Sequence, residues 1–385
     1  MNAKEFTEKY YVKRNNTDSI KWDDNEAKNK IPMWIADADF RLDDKVIEKL
    51  NERISHGSFG YSYLPEDYFE TMINWNKDIS NVTYKKEWIR FSCGAINGLT
   101  QVICSLTNEK DAILMTTPIY HHFFHTIKVT KRKLVESSLN KEGTYFSMNY
   151  KDIENKIIKN NVKMMILCSP CNPVGRVWTK EELEKLFAIT HKHNVIVVSD
   201  EVHGELIMPG HKFIPSLTLK KYQNDIITLN AESKSFSLAM FSFSHIICPN
   251  KKYRNKIDEY QKYYDIQSPN GFSGLPTYYC YKYGKEWLNG FINTIYENYL
   301  YIEKHLSKYC EMTKLEGSYL LYLDFSKSIK EGSAYEFLKD KCNILVSSGE
   351  QFKKGYDKWA RLNLATSLAN VKKACTNIEK ELKNK

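Results

Sequence analysis

The stretch Asn230-Ala231-Glu232-Ser233-Lys234-Ser235-Phe236-Ser237 places a lysine, Lys234, shortly after a strand pattern. The four residues before this stretch, Ile226-Ile227-Thr228-Leu229, are apolar or β-branched, as in a buried strand. Open α/β sheets bind their ligands beyond the carboxyl ends of their strands, so Lys234 would stand at a ligand-binding edge. Most lysines of the chain are expected at the solvated surface. Lys234 becomes a candidate only through the residues at neighbouring strand ends.

Upstream of Lys234 the chain alternates strand and helix patterns. Strand patterns lie at residues 88–91, 112–115, 163–167 and 195–198. Helix patterns run over residues 95–106 and onward from the capping box Thr179-Lys180-Glu181-Glu182. This alternation predicts an α/β fold with a mostly parallel sheet, in which the strand ends meet at one edge.

The residues at these strand ends suit a pyridoxal phosphate (PLP) site. Lysine is the side chain that holds this cofactor as a Schiff base, a role open to Lys234. The carboxylate of Asp200 would keep the pyridine nitrogen protonated and the ring an electron sink. Asn172 could donate to the phenolic oxygen, with His203 near the same atom. Tyr120 could lie flat against the ring, although an ordinary core tyrosine explains it as well.

Two further positions are candidates for binding anions. The turn Ser92-Cys93-Gly94 opens a helix pattern, and small residues there aim backbone N–H groups and the helix dipole at a phosphate. Ordinary tight turns look the same, so this signal is weak alone. Arg361 lies in an apolar strand pattern and would be costly to bury without a partner. A substrate carboxylate is the kind of partner that arginine suits.

The chain is long enough for two domains. After Pro276 the pattern changes to long helices and then to strand patterns, which we interpret as a second, smaller domain completed by the N-terminal residues. We predict that residues 1–46 and 283–385 form the smaller domain and residues 47–282 the larger, ligand-binding one.

Composition and charge exclude several classes of function. No run of the 385 residues approaches the roughly 18 apolar residues of a membrane span, and the N-terminus lacks the apolar core of a signal peptide. The net charge of +9 comes mostly from lysines interleaved with acidic residues, without a nucleic-acid-binding motif. We therefore expect a cytoplasmic protein that binds neither membrane nor nucleic acid.

Cysteines and histidines do not indicate a metal site. The nine cysteines are an odd, scattered set, typical of reduced thiols in the cytosol. Cys168 and Cys171 form a C-x-x-C, but no second pair completes a zinc site. The histidine-rich run at residues 120–125 lacks a carboxylate partner at useful spacing. We interpret it as local packing.

Taken together, SPCNPVGRVW (169–178), VVSDEVH (197–203) and SKSF (233–236), in this order, resemble the fold-type I PLP enzymes of the class I/II aminotransferase group. The resemblance is closer still to the PatB/MalY-like branch of C–S β-lyases and cystathionine β-lyases. The motifs that carry it are KWDD (21–24), IPMWIADADF (31–40), FGYSYLPEDY (59–68), TPIYHHFF (117–124) and ARLNLATS (360–367).

The resemblance covers nearly the whole chain and implies a fold-type I architecture. This architecture has a large domain, with a mostly parallel seven-stranded sheet flanked by helices, and a smaller α/β domain from both termini. It implies catalytic roles for Lys234, Tyr120 and Asp200. It implies cofactor binding by these three residues and by Gly94, Ala95, Ile96, Asn172, His203, Ser233 and Tyr61.

The resemblance also implies how substrate and subunits come together. Arg361 would clamp the α-carboxylate of an amino-acid substrate, and Ala36 would line the substrate side. Tyr61 would reach the phosphate and substrate in the neighbouring subunit. This implies a homodimer with shared active sites.

Three positions depart from the pattern of the family. Ser242 stands where general aminotransferases carry an arginine for the phosphate; the lyase branch lacks that arginine too, so its absence favours a lyase. Ser237 stands where the branch usually has asparagine, and Met240 where many members have glycine. These two departures leave the substrate preference open.

The activity implied is β-elimination from L-cystathionine or related L-cysteine S-conjugates, giving a thiol, pyruvate and ammonia. One alternative is a PLP-dependent aminotransferase, which needs an α-keto acid acceptor. Another is a MalY-like enzyme with an additional regulatory binding role. A regulator that binds DNA directly would need a winged-helix extension, whereas this chain begins almost at once with the enzyme pattern. No residue selects among the thiol leaving groups, or between a biosynthetic and a degradative role.

Overall fold

A seven-stranded sheet forms the centre of the structure, a computed structural model that describes residues 1–383. The strands of the chain are β1 (Ile31–Pro32), β2 (Ile89–Ser92), β3 (Ala112–Thr117), β4 (Lys133–Ser138), β5 (Asn140–Glu142), β6 (Tyr145–Ser147), β7 (Met164–Cys168), β8 (Ile196–Asp200), β9 (Ile226–Asn230), β10 (Ser244–Ile247), β11 (Glu311–Met312), β12 (Leu320–Asp324), β13 (Ile344–Leu345), β14 (Ser347–Ser348) and β15 (Trp359–Asn363).

Helices connect and cover these strands. They are α1 (Ala3–Tyr10), α2 (Ile20–Asp23), α3 (Asp44–Ser55), α4 (Tyr68–Ser80), α5 (Ala95–Leu106), α6 (His122–Val129), α7 (Tyr150–Asn160), α8 (Lys180–Lys192), α9 (Lys251–Tyr263), α10 (Gly271–Tyr283), α11 (Lys285–Leu306), α12 (Ala334–Glu336) and α13 (Leu368–Lys383). Helix α8 begins at the predicted capping box, in which Thr179 and Glu182 each accept a hydrogen bond from the other's backbone N–H.

The central sheet has the strand order β2-β10-β9-β8-β7-β3-β4. Strand β10 is antiparallel to both of its neighbours, and all other pairs are parallel. Its inner strands are largely buried and rich in apolar residues, as in Met164-Met165-Ile166-Leu167, because both faces of a parallel sheet are covered. The prediction of a mostly parallel seven-stranded sheet is confirmed.

Residues from the two ends of the chain meet in a second region. Strands β11, β12, β15 and β14 form a four-stranded antiparallel sheet, and β1 pairs with β13 in parallel, so that Ile31 lies opposite Ile344. Helix α1 packs on α11, with the ring of Phe6 5.2 Å from that of Trp287. The division at residues 46/47 and 282/283 stays a prediction.

A buried ion pair fixes the N-terminal segment beside the sheet edge. The Nζ of Lys21 donates to Asp39 Oδ2 at 2.9 Å, and both side chains are fully buried. Trp22 Nε1 donates to the other carboxylate oxygen at 2.8 Å, and Lys21 also donates to the carbonyl of Asp37. These bonds hold the backbone on both sides of Ala38, next to the candidate site.

No helix within residues 1–383 has both the length and the apolar character needed to span a bilayer.

Replacing Lys21 by Met is expected to lower the free energy of unfolding by about 3 kcal/mol, because Asp39 would keep a buried charge without its main partner. Denaturant unfolding of the purified protein measures this. The control is Lys45→Met, which removes a pair with Glu48 of 2.7 Å at the exposed surface and should cost less than about 1 kcal/mol. Equal losses in the two variants would contradict this role of the buried pair.

Candidate active site

The predicted site residues follow the ends of adjacent parallel strands. Cys168 of β7 lies opposite Asp200 of β8, which in turn lies opposite Leu229 of β9. Asn172 follows the end of β7 and Lys234 the end of β9, so both extend from the same edge. The strand ends thus converge as the alternating pattern predicts.

The amine of Lys234 is held in a partly exposed position at this edge. Its Nζ donates to the carbonyl oxygen of Ala36 at 2.9 Å. Burial lowers the pKa of Lys234, while the negative charges of Asp37 and Asp200 raise it and the positive charge of Arg361 lowers it. The net shift is downward, so a neutral amine is reached at lower pH than for an exposed lysine.

Asp200 and His203 lie behind the lysine in a desolvated environment. Burial raises the pKa of Asp200 to about 6, against the opposing effects of the Val202 backbone N–H and the charge of Lys234. Burial lowers the pKa of His203 to about 3, so its imidazole is neutral. The His203 Nδ1 is buried and has no hydrogen-bond partner in the described residues. Asp200 thus presents a buried carboxylate to which no cationic group of the described residues donates a hydrogen bond.

Arg361 and Asn172 are in direct contact. From β15, Arg361 Nη1 donates to Asn172 Oδ1 at 3.0 Å, and Nη2 donates to Trp34 O at 2.8 Å and Ser347 Oγ at 3.1 Å. The guanidinium lies over the ring of Phe352, 4.9 Å from its centroid. Burial lowers the pKa of Arg361 to about 10, which leaves it cationic at neutral pH. Its Nε has no partner in residues 1–383, so a donor remains for a ligand.

Tyr120 follows the end of β3 and lies close enough to Arg361 and Asp200 for their charges to affect its pKa. Burial raises the pKa of Tyr120 to about 12, with Arg361 lowering it and Asp200 raising it. The phenol is therefore protonated at neutral pH. Its ring packs against those of His121 and His122, at centroid distances of 5.0 and 5.1 Å.

The N-terminus of α5 provides backbone donors for an anion. Gly94 precedes the helix with φ +87°, and nothing lies within 4 Å of where a Cβ would be. No side chain caps the helix, so the N–H groups of its first turn, including those of Ala95 and Ile96, lack side-chain partners there. Ser233, next to Lys234, is also partly exposed.

Tyr61 is not brought to the other site residues of its own chain. It lies in the segment between α3 and α4, and its side chain is entirely exposed, as is that of Tyr63. Met240, one of the departures from the family pattern, is also exposed. The role predicted for Tyr61, at the site of a neighbouring subunit, stays a prediction.

Sequence reasoning missed Asp37 and its partners. Asp37 Oδ1 accepts a hydrogen bond from Ser237 Oγ at 2.9 Å, and its Oδ2 accepts one from Arg14 Nη1 at 2.5 Å. After burial, Asp37 has the largest effect on the pKa of Lys234. The position of Asp37 directly after Ala36, which was predicted to line the substrate side, was the feature of the sequence that could have indicated it. Ser237 stands at the position where the branch usually has asparagine, and its φ is +56°. Its hydroxyl orients the carboxylate of Asp37.

Three buried glutamates surround a small cavity beside the lysine segment. Burial raises the pKa of Glu201 to about 7 and raises the pKa of Glu205 and Glu232 as well; the charge of Glu205 adds to the shift of Glu232. Glu205 accepts a hydrogen bond from Trp75 and Glu232 from Tyr281, yet one oxygen of each of the three glutamates has no partner in residues 1–383. Each of these carboxyls therefore stays protonated to a higher pH than an exposed glutamate does.

The raised pKa values of these glutamates predict that their contribution to stability falls as pH rises. Between the unfolded and folded pKa values of each glutamate, the unfolded chain releases a proton that the folded chain keeps, so this contribution to the free energy of unfolding falls from about pH 5 to about pH 8. Glu232→Gln removes one of these groups. Between pH 5 and pH 8 the free energy of unfolding should therefore change less unfavourably in the variant than in the parent, by about 2 kcal/mol. Urea unfolding of the cofactor-free protein at both pH values measures this. An equal change in the free energy of unfolding in the variant and the parent would contradict the raised pKa of Glu232.

No group of three His, Cys, Asp or Glu side chains in the described part of the chain is arranged to hold a metal ion. All nine cysteines, including the buried Cys168 and Cys171, are free thiols.

Comparison with known proteins agrees with this geometry. The model of the family described as aminotransferase class I and II matches residues 29–378. The chain belongs to this family. Cystathionine β-lyase PatB of Bacillus subtilis is 30% identical over 375 residues, which are 95% of this chain and 97% of PatB.

Two solved structures that contain PLP have the same fold. Cystalysin from Treponema denticola, which contains PLP, gives a TM-score of 0.90 at 28% identity and covers 97% of this chain and 98% of its own. The PLP-bound C–S lyase from Staphylococcus hominis gives a TM-score of 0.90 at 27% identity, covering 96% of each chain. The expected fold-type I architecture and the resemblance to the PatB/MalY-like branch are confirmed.

The residues at this edge of the sheet fit PLP. The site offers an amine with a lowered pKa at Lys234 and a buried carboxylate without a hydrogen-bonded cation at Asp200. An uncapped helix N-terminus after Gly94 is suited to a phosphate. These are the groups that the cofactor's aldehyde, ring nitrogen and phosphate require.

Proposed function

We propose that the protein is a PLP-dependent C–S β-lyase that cleaves L-cystathionine or related L-cysteine S-conjugates to a thiol, pyruvate and ammonia. The observation that carries the proposal is the Lys234 amine, held by Ala36 O at 2.9 Å in a cleft with Asp200 and Arg361. The similarity to PatB and to C–S lyases of solved structure supports it. Ser242, which is exposed, stands where an aminotransferase would carry an arginine.

The chain's residues would hold the cofactor at five points. Lys234 would bind its aldehyde carbon, Asp200 would face its ring nitrogen, and Asn172 its phenolic oxygen, with His203 nearby. Tyr120 would lie against the ring. The phosphate would be bound by Gly94, Ala95, Ile96 and Ser233. When bound, PLP supplies an electron sink for the charge that develops at the substrate Cα.

The remaining steps are proton transfer and substrate orientation by side chains. Arg361 would bind the α-carboxylate through its free Nε, fixing the Cα–H bond relative to Lys234. The neutral Nζ of Lys234 would take the Cα proton, and the thiolate would leave from Cβ. Asp37 and Ser237 would set the basicity of this amine, because Asp37 opposes the effect of burial on its pKa.

Lys234→Ala is expected to abolish pyruvate formation while the protein still binds PLP, since the other cofactor contacts remain. The measurement is pyruvate and free thiol released from L-cystathionine by the PLP-loaded protein without any α-keto acid. Lys185→Ala, an exposed position on α8, is the control and should keep full activity. Near-normal activity in Lys234→Ala would contradict the proposal. Amino-group transfer that requires an α-keto acid, without thiol release, would assign the alternative, an aminotransferase.

We propose in addition that the enzyme is a homodimer in which Tyr61 serves the partner's site. Support comes from the exposure of Phe59, Tyr61 and Tyr63, an aromatic segment without cover in a single chain. The location we propose is the cytoplasm, consistent with nine free thiols.

Mixing two inactive variants tests the shared site. In a Lys234→Ala and Tyr61→Ala hybrid, one of the two sites combines a native lysine with a native tyrosine. Equal mixing followed by subunit exchange should restore about a quarter of native activity, because about half of the dimers are hybrids. Each variant must be nearly inactive alone. A mixture that stays as inactive as its components would contradict the shared site.

A further inference from the structure

Two consecutive histidines, His121 and His122, border the cleft and have no role in the steps above. His121 directly follows Tyr120, and His122 begins α6. Their rings lie 4.5 Å apart, and each lies about as close to the ring of Tyr120. The run thus packs locally, and it packs on a residue of the candidate active site.

His121 borders the cleft next to the ring that supports Arg361. His121 contacts Phe352 edge-on, with centroids 5.9 Å apart, and Phe352 is the ring that carries the Arg361 guanidinium. The backbone N–H of Ile119 donates to Phe352 O at 3.2 Å, which fixes this contact. The His121 Nδ1 is buried and has no hydrogen-bond partner in residues 1–383.

The charges around this pair are positive. Burial lowers the pKa of His121 to about 4, assisted by His122 and Arg361. Burial likewise lowers the pKa of His122, assisted by His125 and Lys234. No Asp or Glu of the described residues contributes to either shift. An anionic group placed here would meet two imidazoles able to donate and no opposing carboxylate.

The position of the pair matches the only substrate substituent left without a partner. Resting on the proposed function, Arg361 takes the α-carboxylate and Lys234 the Cα proton, while Asp200 and Asn172 face the cofactor. The S-substituent must then extend along the remaining side, where His121 and His122 lie.

We propose that His121 and His122 form the subsite for the S-substituent and select L-cysteine S-conjugates whose leaving thiol carries a carboxylate. The amino-acid thiol of cystathionine is such a group; the methanethiol of S-methylcysteine is not. The imidazole N–H groups donate to the distal carboxylate. The pair thereby distinguishes two classes of conjugate that share the same α-amino-acid end.

Equilibrium binding separates this role from catalysis. In PLP-loaded protein with Lys234→Ala, the dissociation constants of L-cystathionine and S-methyl-L-cysteine are measured from the cofactor absorbance. His121→Phe keeps the ring contacts with Tyr120 and Phe352 but loses the nitrogen atoms. It should weaken cystathionine binding at least about tenfold, and S-methylcysteine binding less than about threefold, because a hydrogen bond to a charged group is lost only for the former.

Three further variants, His121→Gln, His122→Phe and a control, complete the experiment. His121→Gln retains a side-chain donor and should recover part of the preference for cystathionine. His191→Phe, an exposed histidine on α8, is the matched control and should leave both constants unchanged. An unchanged ratio in His121→Phe and in His122→Phe, or an equal loss for both ligands, overturns the subsite.

The outcome does not depend on the proposed activity. If the native enzyme releases no pyruvate, the lyase proposal fails, and the ratio of dissociation constants still decides the subsite. If the enzyme is an active lyase and the ratio is unchanged in both phenylalanine variants, the subsite alone fails.

Discussion

The hydrogen bond from the Lys234 amine to the carbonyl of Ala36 is the contact on which the account of this protein depends. It joins the end of the central sheet to an N-terminal segment nearly 200 residues away in sequence. That segment is positioned by the buried Lys21–Asp39 pair and by the pairing of β1 with β13. The desolvated pocket around the lysine therefore exists only when the two ends of the chain are folded against the sheet.

Desolvation gives this site its chemistry and costs stability. Burial lowers the pKa of Lys234 and raises that of Asp200, and it raises the pKa of the glutamates beside the lysine segment as well. A base and a carboxylate of shifted pKa at one sheet edge are typical of an active site. Buried oxygens without hydrogen-bond partners in this region lower the stability of the fold, and burial of the apolar core elsewhere must offset this loss.

The sequence was most informative where function follows from local pattern. Lys234, Asp200 and Asn172 were predicted because each follows a strand, and parallel strands bring their ends to one edge. The contacts of Asp37 with Ser237, of Arg361 with Phe352, and of His121 with Phe352 were not predictable in this way. They join loops far apart in sequence, and no periodicity relates the partners. The histidine run shows the difference clearly, because its spacing revealed packing but not the charges that face it.

The most direct test of the central claim is to reduce the PLP-loaded protein with borohydride and locate the pyridoxyl label by peptide mass spectrometry. The account predicts a stoichiometric label on Lys234, because among the lysines of residues 1–383 only this one combines a lowered pKa with the contacts described at the sheet edge. Label on another lysine, or label distributed over exposed lysines, would contradict it.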